Sequence, residues 1–198
     1  QQGQFSAQTN VDTPPDIYSL PIPQSEWTAK SEDFPPGEAE AQKRLAAFTQ
    51  ASRYSENLQA SAPVFAYATT RNRQDWEGTS RLSPYLRFGM LSARQAVSAA
   101  YQAIRSAPDP STQQGAETWL NELIWRDFYI HILYHFPKVQ KENFRLPHVR
   151  WVNNSQQFDA WRQGLTGYPI IDASMRQLLH TGWMHNRSRM IVASFLTK

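Results

Sequence analysis

Trp119-Leu-Asn-Glu-Leu-Ile-Trp-Arg-Asp-Phe-Tyr129 is the stretch that decides the fold of this chain. It contains no Gly or Pro and many residues of high helix propensity, so it predicts an α-helix. At about 100° per residue, one arc of roughly 120° collects the side chains of Trp119, Glu122, Trp125, Arg126 and Tyr129. The opposite side carries Leu120, Ile124 and Phe128. A helix that is apolar on both flanks is expected in the interior of a domain.

The acidic and basic side chains of this arc lie among tryptophans. Burying a charge costs several kcal/mol unless the charge is paired and hydrogen-bonded, so this face needs a partner. One interpretation is an internal ion pair between Glu122 and Arg126, one helical turn apart. The other is a floor for a flat aromatic ligand with polar edges.

Length and composition allow one domain of good size with a tail. The chain has 198 residues and 13% aromatic residues, more than an ordinary core requires, although aromatics also fill helical cores. It has no Cys, which excludes disulfides, thiolate metal sites and Cys nucleophiles. No apolar run reaches the length of a membrane span, and no signal peptide is recognisable. The chain begins with Gln and stops within an apolar pattern, so we expect a piece of a longer protein.

Charge divides the chain into two parts. Residues 1–70 contain 4 Lys and Arg against 8 Asp and Glu, whereas residues 71–198 contain 16 against 9. The basic part also carries most of the aromatic residues. This favours a polyanionic partner, with solubility as the alternative explanation.

Proline content predicts where the domain begins. Six of the 13 prolines lie in residues 1–36, which therefore read as an extended linker to a helical domain over residues 37–198. Helices are expected from Gly37 to about Tyr54, from Ala93 to Ser106, from about Gln113 to His135, from Asn154 or Ser155 to Gly164, from Tyr168-Pro169 to about Thr181, and from about Met184 onward. Tyr67 to Arg73 reads as a polar, basic loop. No strand pattern and no repeat is found, so the fold class is all-α, a helical bundle.

The run Gly78-Thr-Ser-Arg-Leu-Ser-Pro84 predicts an anion site. Ser83 before Pro84 suits an N-cap followed by the first helical residue. The free N–H groups and dipole of a helix start attract anions, and Thr79, Ser80 and Arg81 would supplement them. Ordinary helix capping is the competing explanation.

Two polar clusters on helices also need weighing. His131 and His135 are four residues apart, which suits a metal pair, but no third ligand stands nearby in the sequence and we expect no metal. His185-Asn-Arg-Ser-Arg-Met190 places a polar head on an apolar helix. A solvated basic face is the common explanation for such a cluster, but this helix is apolar on both sides.

Four segments of the chain carry a further signal when they are taken together. They are Glu77-Gly-Thr-Ser-Arg-Leu-Ser-Pro84, Trp119-Leu-Asn-Glu-Leu-Ile-Trp-Arg-Asp-Phe-Tyr129, Gly167-Tyr-Pro-Ile-Ile-Asp172 and Gly182-Trp-Met-His-Asn-Arg-Ser-Arg-Met190. In this order they resemble the FAD-binding helical domain of the DNA photolyase/cryptochrome family, and among its branches they are most similar to the class I cyclobutane pyrimidine dimer photolyases.

The resemblance implies roles for individual residues. Residues implied to contact FAD are Tyr67, Thr79, Ser80, Arg81, Leu82, Ser83, Trp119, Glu122, Arg126, Asn186 and Arg189, with residues 79–83 at the pyrophosphate. Residues implied in catalysis beside the lesion are Glu122, Trp125, Asn186 and Met190. Residues implied at the DNA are Arg71, Glu122, Trp125, Tyr129, Asn186, Arg187 and Met190. Trp151 matches the outermost tryptophan of the family's electron-transfer chain.

The activity implied by the resemblance is light-driven DNA repair. Excited, fully reduced FAD would pass an electron to a pyrimidine dimer flipped out of the duplex, and the electron would return after the ring opens. The family's amino-terminal antenna domain, which binds a second pigment, has no counterpart in this chain. The implied protein is a cytoplasmic, bacterial-type monomer. A cryptochrome photoreceptor, and a flavin-free helical module that binds nucleic acid, are the alternatives.

Overall fold

The computed structural model describes residues 33–50, 61–144 and 152–197, which form helices joined by loops, with no strand in any of the three ranges. The prediction of an all-α fold is confirmed for this part of the chain. The α-helices are α1 (Glu38–Thr49), α2 (Tyr67–Thr70), α3 (Ser83–Arg87), α4 (Ala93–Ser106), α5 (Pro110–His135), α6 (Ser155–Gln163), α7 (Pro169–Thr181) and α8 (Asn186–Thr197), with 3₁₀ turns at Pro63–Ala66 and Pro137–Gln140. Trp151 and residues 1–32 of the proposed linker lie outside the described residues.

The first group of buried side chains joins α1, α4 and α5. Along α4 the buried positions are Ala96, Ala100 and Ala103, so α4 presents small side chains to its neighbours. On α5, Gly115 lies against the 3₁₀ turn so closely that an added Cβ would stand 2.1 Å from the carbonyl oxygen of Phe65. Small residues at these contacts therefore let α5 lie deep between α4 and the turn.

A second group of buried side chains joins α6, α7 and α8. Ile171, Met175, Met184 and Val192 form its centre. The indole Nε1 of Trp161 on α6 donates a hydrogen bond of 3.0 Å to the carbonyl of Val192 on α8. The three helices thus share a small core of their own.

Most helix ends follow their local sequence. Ser92 and Gln95 form the reciprocal capping box of α4, Asn154 caps α6, and Gly164 and Gly182 end α6 and α7 in left-handed conformations. The predicted bounds of α4, α6 and α7 are confirmed.

Three helix ends and one loop differ from the prediction. Helix α1 ends at Thr49, followed by the extended residue Gln50, and the expected end near Tyr54 lies outside the described residues. Residues 67–70 form one helical turn where a loop was expected. Helix α5 begins three residues before Gln113, since Asp109 caps it through the N–H groups of Ser111 and Thr112. Helix α8 begins at Asn186, two residues after Met184.

The expected N-cap at Ser83 is also wrong. Ser83 is the first residue of α3, Leu82 takes the cap position, and no side chain caps the helix through a hydrogen bond. The residue before Ser83 is apolar and fully buried, at 1% exposure. Packing of Leu82 into the core therefore decides where this short helix starts.

The prediction that α5 is buried on both flanks holds only for its first half. Trp119 is 3% exposed, but Ile124 is 57% exposed and Phe128 47%. Within the described residues, no element covers Ile124 and Phe128 on the second half of α5.

The last residues of the proposed linker contact the helical body. Phe34 packs against the first core, and the hydroxyl of Tyr85 donates a hydrogen bond of 2.9 Å to the carbonyl of Pro35. The division at residue 36 stays a prediction. None of the described helices has the length and apolar character needed to cross a membrane.

Candidate functional site

The polar arc of α5 lies along three different elements. The ring of Trp119 packs edge-on against Phe48 of α1, with 5.2 Å between centroids. One turn later the carboxylate of Glu122 meets the guanidinium of Arg71, which follows α2, with 2.6 Å between the two charged atoms. Arg126 then reaches the carbonyl oxygen of Leu86 in α3 at 3.3 Å. Three residues of the predicted arc, Trp119, Glu122 and Arg126, thus each contact a different element.

Glu122 does not form the internal pair with Arg126 that its spacing allowed. Its partner Arg71 comes from a different element, and the side chains are 34% and 28% exposed. An ion pair that solvent reaches to this degree contributes little to stability. Its main effect is to hold a carboxylate and a guanidinium at fixed positions.

Tyr67 completes a cluster with this pair. Burial, reinforced by the charge of Glu122 and opposed by that of Arg71, raises the pKa of Tyr67 to about 12. The Arg71 guanidinium carbon lies 5.7 Å from the centre of the Tyr67 ring. The Tyr67 hydroxyl therefore keeps its proton at neutral pH and can act as a hydrogen-bond donor.

Beyond Glu122, α5 presents an open aromatic surface. Trp125 is 53% exposed and Tyr129 64%. Their rings are tilted by 32° with 6.2 Å between centroids, and Phe128 packs edge-on against Trp125 at 5.4 Å. A flat ligand or base can stack on such a surface.

Arg81 occupies an unusual position in the loop before α3. Its φ of 51° lies in the left-handed region, which is uncommon for a residue with a side chain. Its guanidinium carbon lies 4.5 Å from the ring centre of Trp183, and its Nη1 lies 3.1 Å from the carboxylate of Glu77. Its Nε is buried and has no hydrogen-bond partner among the described residues.

The neighbours of Arg81 differ in exposure. Thr79 and Ser80 are partly buried and Ser83 is exposed, so their hydroxyls remain accessible. Leu82 points into the core, which leaves only its backbone for a ligand.

The start of α8 presents a second polar group. The Nδ1 of His185 accepts a hydrogen bond of 3.1 Å from the N–H of Arg187, so His185 caps the helix. Burial lowers the pKa of His185, the charge of Arg187 lowers it further, and the backbone of Arg71 opposes the shift. Its Nε2 is buried and makes no hydrogen bond to the described residues. Asn186, Arg189 and Met190 are exposed.

Comparison with known proteins shows to which protein family the chain belongs. Residues 119–198 match the family described as the FAD binding domain of DNA photolyase. A deoxyribodipyrimidine photo-lyase of Vibrio cholerae is 49% identical over 135 residues, which are 67% of this chain and 28% of that protein. The photo-lyase of Streptomyces griseus is 36% identical over 100% of this chain and 40% of its own length. This chain belongs to the DNA photolyase/cryptochrome family.

Solved structures of the photolyase/cryptochrome family share the fold. A class III photolyase from Agrobacterium tumefaciens is 35% identical with a TM-score of 0.72, over 85% of this chain and 33% of that one. A Synechocystis cryptochrome is 30% identical with a TM-score of 0.70, over 82% and 32%. The chain thus spans well under half of the relatives it matches. Its assignment to class I within the family stays a prediction.

The structure brings together some of the residues that the resemblance to the photolyase family singles out. Tyr67, Arg71 and Glu122 form one cluster, and Trp125 and Tyr129 form the aromatic surface beside it. Trp119 is buried, and its ring packs against Phe48 of α1. The roles assigned to these residues remain predictions.

Sequence reasoning missed a second polar network, at the start of α7. The Asp172 carboxylate accepts hydrogen bonds from the N–H and hydroxyl of Thr166 and from the N–H of Gly167, at 2.6 to 2.9 Å. These bonds, the Thr166 hydroxyl first, lower the pKa of Asp172. The sequence Thr166-Gly-Tyr-Pro169 followed by Asp172 could have predicted this network, because an Asp in the first turn of a helix suits free N–H groups.

The two histidines of α5 stack on each other with 6.2 Å between ring centroids. His131 also lies 3.4 Å from Asp127. In the three described ranges, no group of three or more His, Asp or Glu side chains comes together as a metal site would require.

Proposed function

We propose that this chain forms the flavin- and lesion-binding part of a deoxyribodipyrimidine photo-lyase, which repairs cyclobutane pyrimidine dimers in DNA with light. The observation that carries the proposal is the Glu122–Arg71 pair beside the exposed ring of Trp125. A carboxylate next to an aromatic surface suits a base that stacks and offers N–H groups.

The chain's own residues fit FAD. Arg81 has a left-handed backbone conformation and a buried Nε without a hydrogen-bond partner in the part of the chain that the structure describes, and Thr79, Ser80 and Ser83 are its neighbours in sequence. Unsatisfied buried donors are costly, so an anionic group at this loop would stabilise it. We assign the FAD pyrophosphate to residues 79–83, and the rest of the flavin contacts to Tyr67, Trp119, Glu122, Arg126, Asn186 and Arg189.

Reduced FAD, when bound, would supply the electron that opens the cyclobutane ring. The work left to the protein is positioning and electrostatics. In the ion pair Glu122 is an acceptor, so we assign it hydrogen bonds from base N–H groups. Trp125 would stack on one pyrimidine, while Asn186 and Met190 would contact the dimer from α8.

The DNA backbone would bind the cations around this site. The basic part of the chain, residues 71–198, carries 16 Lys and Arg against 9 Asp and Glu. We assign phosphate contacts to Arg71 and Arg187, with Tyr129 beside the strand. Trp151 is proposed as the outermost tryptophan of the electron-transfer chain, and the protein is proposed to act as a monomer.

Two measurements on the intact protein that contains this chain test the proposal. Its absorbance spectrum should show flavin bands after purification. The reduced protein, illuminated with thymine-dimer DNA, should restore intact thymines, while a dark sample should not. A spectrum without flavin would reject the photolyase assignment and favour a flavin-free nucleic-acid-binding module.

A cryptochrome photoreceptor is the competing function, because a cryptochrome structure shares the fold at 30% identity. It would bind flavin and respond to blue light without restoring thymines. Flavin bands together with absent repair would therefore favour the photoreceptor.

A further inference from the structure

The segment between α2 and α3 joins the two groups of helices. Asn72 and Gln74 lie in this segment, and both hydrogen-bond to the first turn of α8. In the described part of the chain, these are the side-chain hydrogen bonds that connect α8 to the body formed by α1 to α5. Residues 71–74 of this segment, which we call the joint, therefore link α8 to the body that contains α5.

The contacts of the joint are directional. The Oδ1 of Asn72 accepts from both Nε and Nη2 of Arg187, at 3.0 and 2.7 Å. The Oε1 of Gln74 accepts from the hydroxyl of Ser188 at 2.9 Å, and Ser188 is only 3% exposed. Two acceptors two residues apart thus hold two consecutive residues of α8.

The same segment also reaches α5. Arg71, the neighbour of Asn72, forms the ion pair with Glu122. Adjacent residues of the joint therefore form an ion pair with a carboxylate on α5 and hydrogen bonds with a guanidinium on α8. Trp125 lies three residues after Glu122 on α5, and the exposed residues Asn186 and Met190 lie one residue before and three residues after Arg187 on α8.

We infer that Asn72 and Gln74 are positioning residues, which set the separation between the α5 and α8 sides of the lesion site and thereby its preference for a pyrimidine dimer. The inference rests on the proposed function. Asn72 and Gln74 are exposed, and α8 has its own apolar core, so their bonds add little to stability. Loss of these hydrogen bonds would change the positions of Arg187 and its neighbours. This change should lower the affinity most for a ligand that α5 and α8 contact from opposite sides.

The test uses the intact protein with Asn72→Ala, Gln74→Ala and the double variant. Gln113→Ala is the control, because Gln113 is also an exposed amide whose hydrogen bond, to Glu117, lies outside the joint. The affinity for dimer-containing duplex should fall about tenfold in the double variant, while affinity for undamaged duplex changes less than threefold. Flavin content and Tm should stay at the control's values.

A double-mutant cycle separates positioning from general damage. If Asn72 acts through Arg187, Asn72→Ala should not lower the affinity for dimer-containing duplex any further in a protein that already carries Arg187→Ala. Amide hydrogen exchange should accelerate in residues 186–190 of the double variant and not in α4. Three results would overturn the inference. They are an equal loss of affinity for damaged and undamaged duplex, additive effects of Asn72→Ala and Arg187→Ala on affinity, and unchanged amide exchange in residues 186–190. A wild-type protein without preference for dimer DNA would instead reject the proposed function itself.

Discussion

At the scale of single residues, partners from distant parts of the chain set the chemistry of Glu122. Its spacing on α5 allowed Arg126 as a partner, but Arg71 pairs with it across 51 positions of sequence, at 2.6 Å. Arg126 is free to reach the backbone of α3 instead. The pair leaves a carboxylate next to Trp125, where an incoming base would need an acceptor.

Substitution of Glu122 and Arg81 should separate the two binding functions. Glu122→Ala should lower repair by about 10- to 100-fold and lower flavin content less than it lowers repair, since it removes a charge-assisted hydrogen bond to the base. Arg81→Ala should instead lower flavin content, because it removes the cation at the proposed pyrophosphate loop. The flavin-to-protein absorbance ratio and the yield of restored thymines measure the two effects. If both variants lost flavin equally, this division of roles would be incorrect.

His185 should make stability sensitive to acid. Its pKa is lowered by burial, so the unfolded chain takes up this proton before the native protein does. The stability that His185 contributes is complete above its ordinary pKa of about 6.5 and is lost as the pH falls toward the lowered value. Urea unfolding from pH 7.5 to 5 should show this decline.

His185→Asn is the matched variant for that measurement. Asn keeps an acceptor that suits the cap of α8 and removes the titrating group. The decline between pH 6.5 and 5 should become shallower in the variant. If the free energy of unfolding of His185→Asn depended on pH as it does in the wild type, titratable groups other than His185 would cause the decline.

At the scale of elements, close approach rather than helix propensity decides the packing of α5. Gly115 weakens the helix locally, yet it lies where α5 passes the 3₁₀ turn of residues 63–66. The alanine face of α4 serves the same purpose on the other side. Together they bring Trp119 against Phe48 and place Glu122 within reach of Arg71.

Gly115→Ala should destabilise the protein although Ala is the better helix former. Its Cβ would stand 2.1 Å from a backbone oxygen, so the helix or the turn must shift. The expected loss is about 1–3 kcal/mol in the free energy of unfolding, measured by chemical denaturation. Gln114→Ala, the exposed neighbour, should change stability by less than about 0.5 kcal/mol. A stabilised Gly115→Ala variant would show that the turn yields at little cost.

At the scale of the whole molecule, positive charge and exposed aromatic rings occur in the same part of the sequence. Residues 71–198 carry 16 Lys and Arg against 9 Asp and Glu, and they include the exposed rings of Trp125 and Tyr129 on α5. Such a surface suits a polyanion whose bases can stack.

DNA binding by the intact protein should weaken as salt rises, because phosphate contacts release counterions. Arg187→Ala should reduce the slope of log K against log salt concentration by about 1. Arg105→Ala, at the end of α4 and outside the proposed site, should leave the slope unchanged. Equal slopes for wild type and Arg187→Ala would remove Arg187 from the phosphate contacts.

The helical class, the family and most helix ends could be predicted from the amino-acid sequence, because periodicity, capping residues and terminal glycines act within a few positions of one another. The common face of Glu122, Trp125 and Tyr129 on α5 was predictable for the same reason. The pairing of Arg71 with Glu122, the burial of Trp119 and the hydrogen bonds between Asn72 and Arg187 were visible only in the folded structure. These contacts join residues far apart in the chain, so they depend on how the helices pack, which no local pattern specifies.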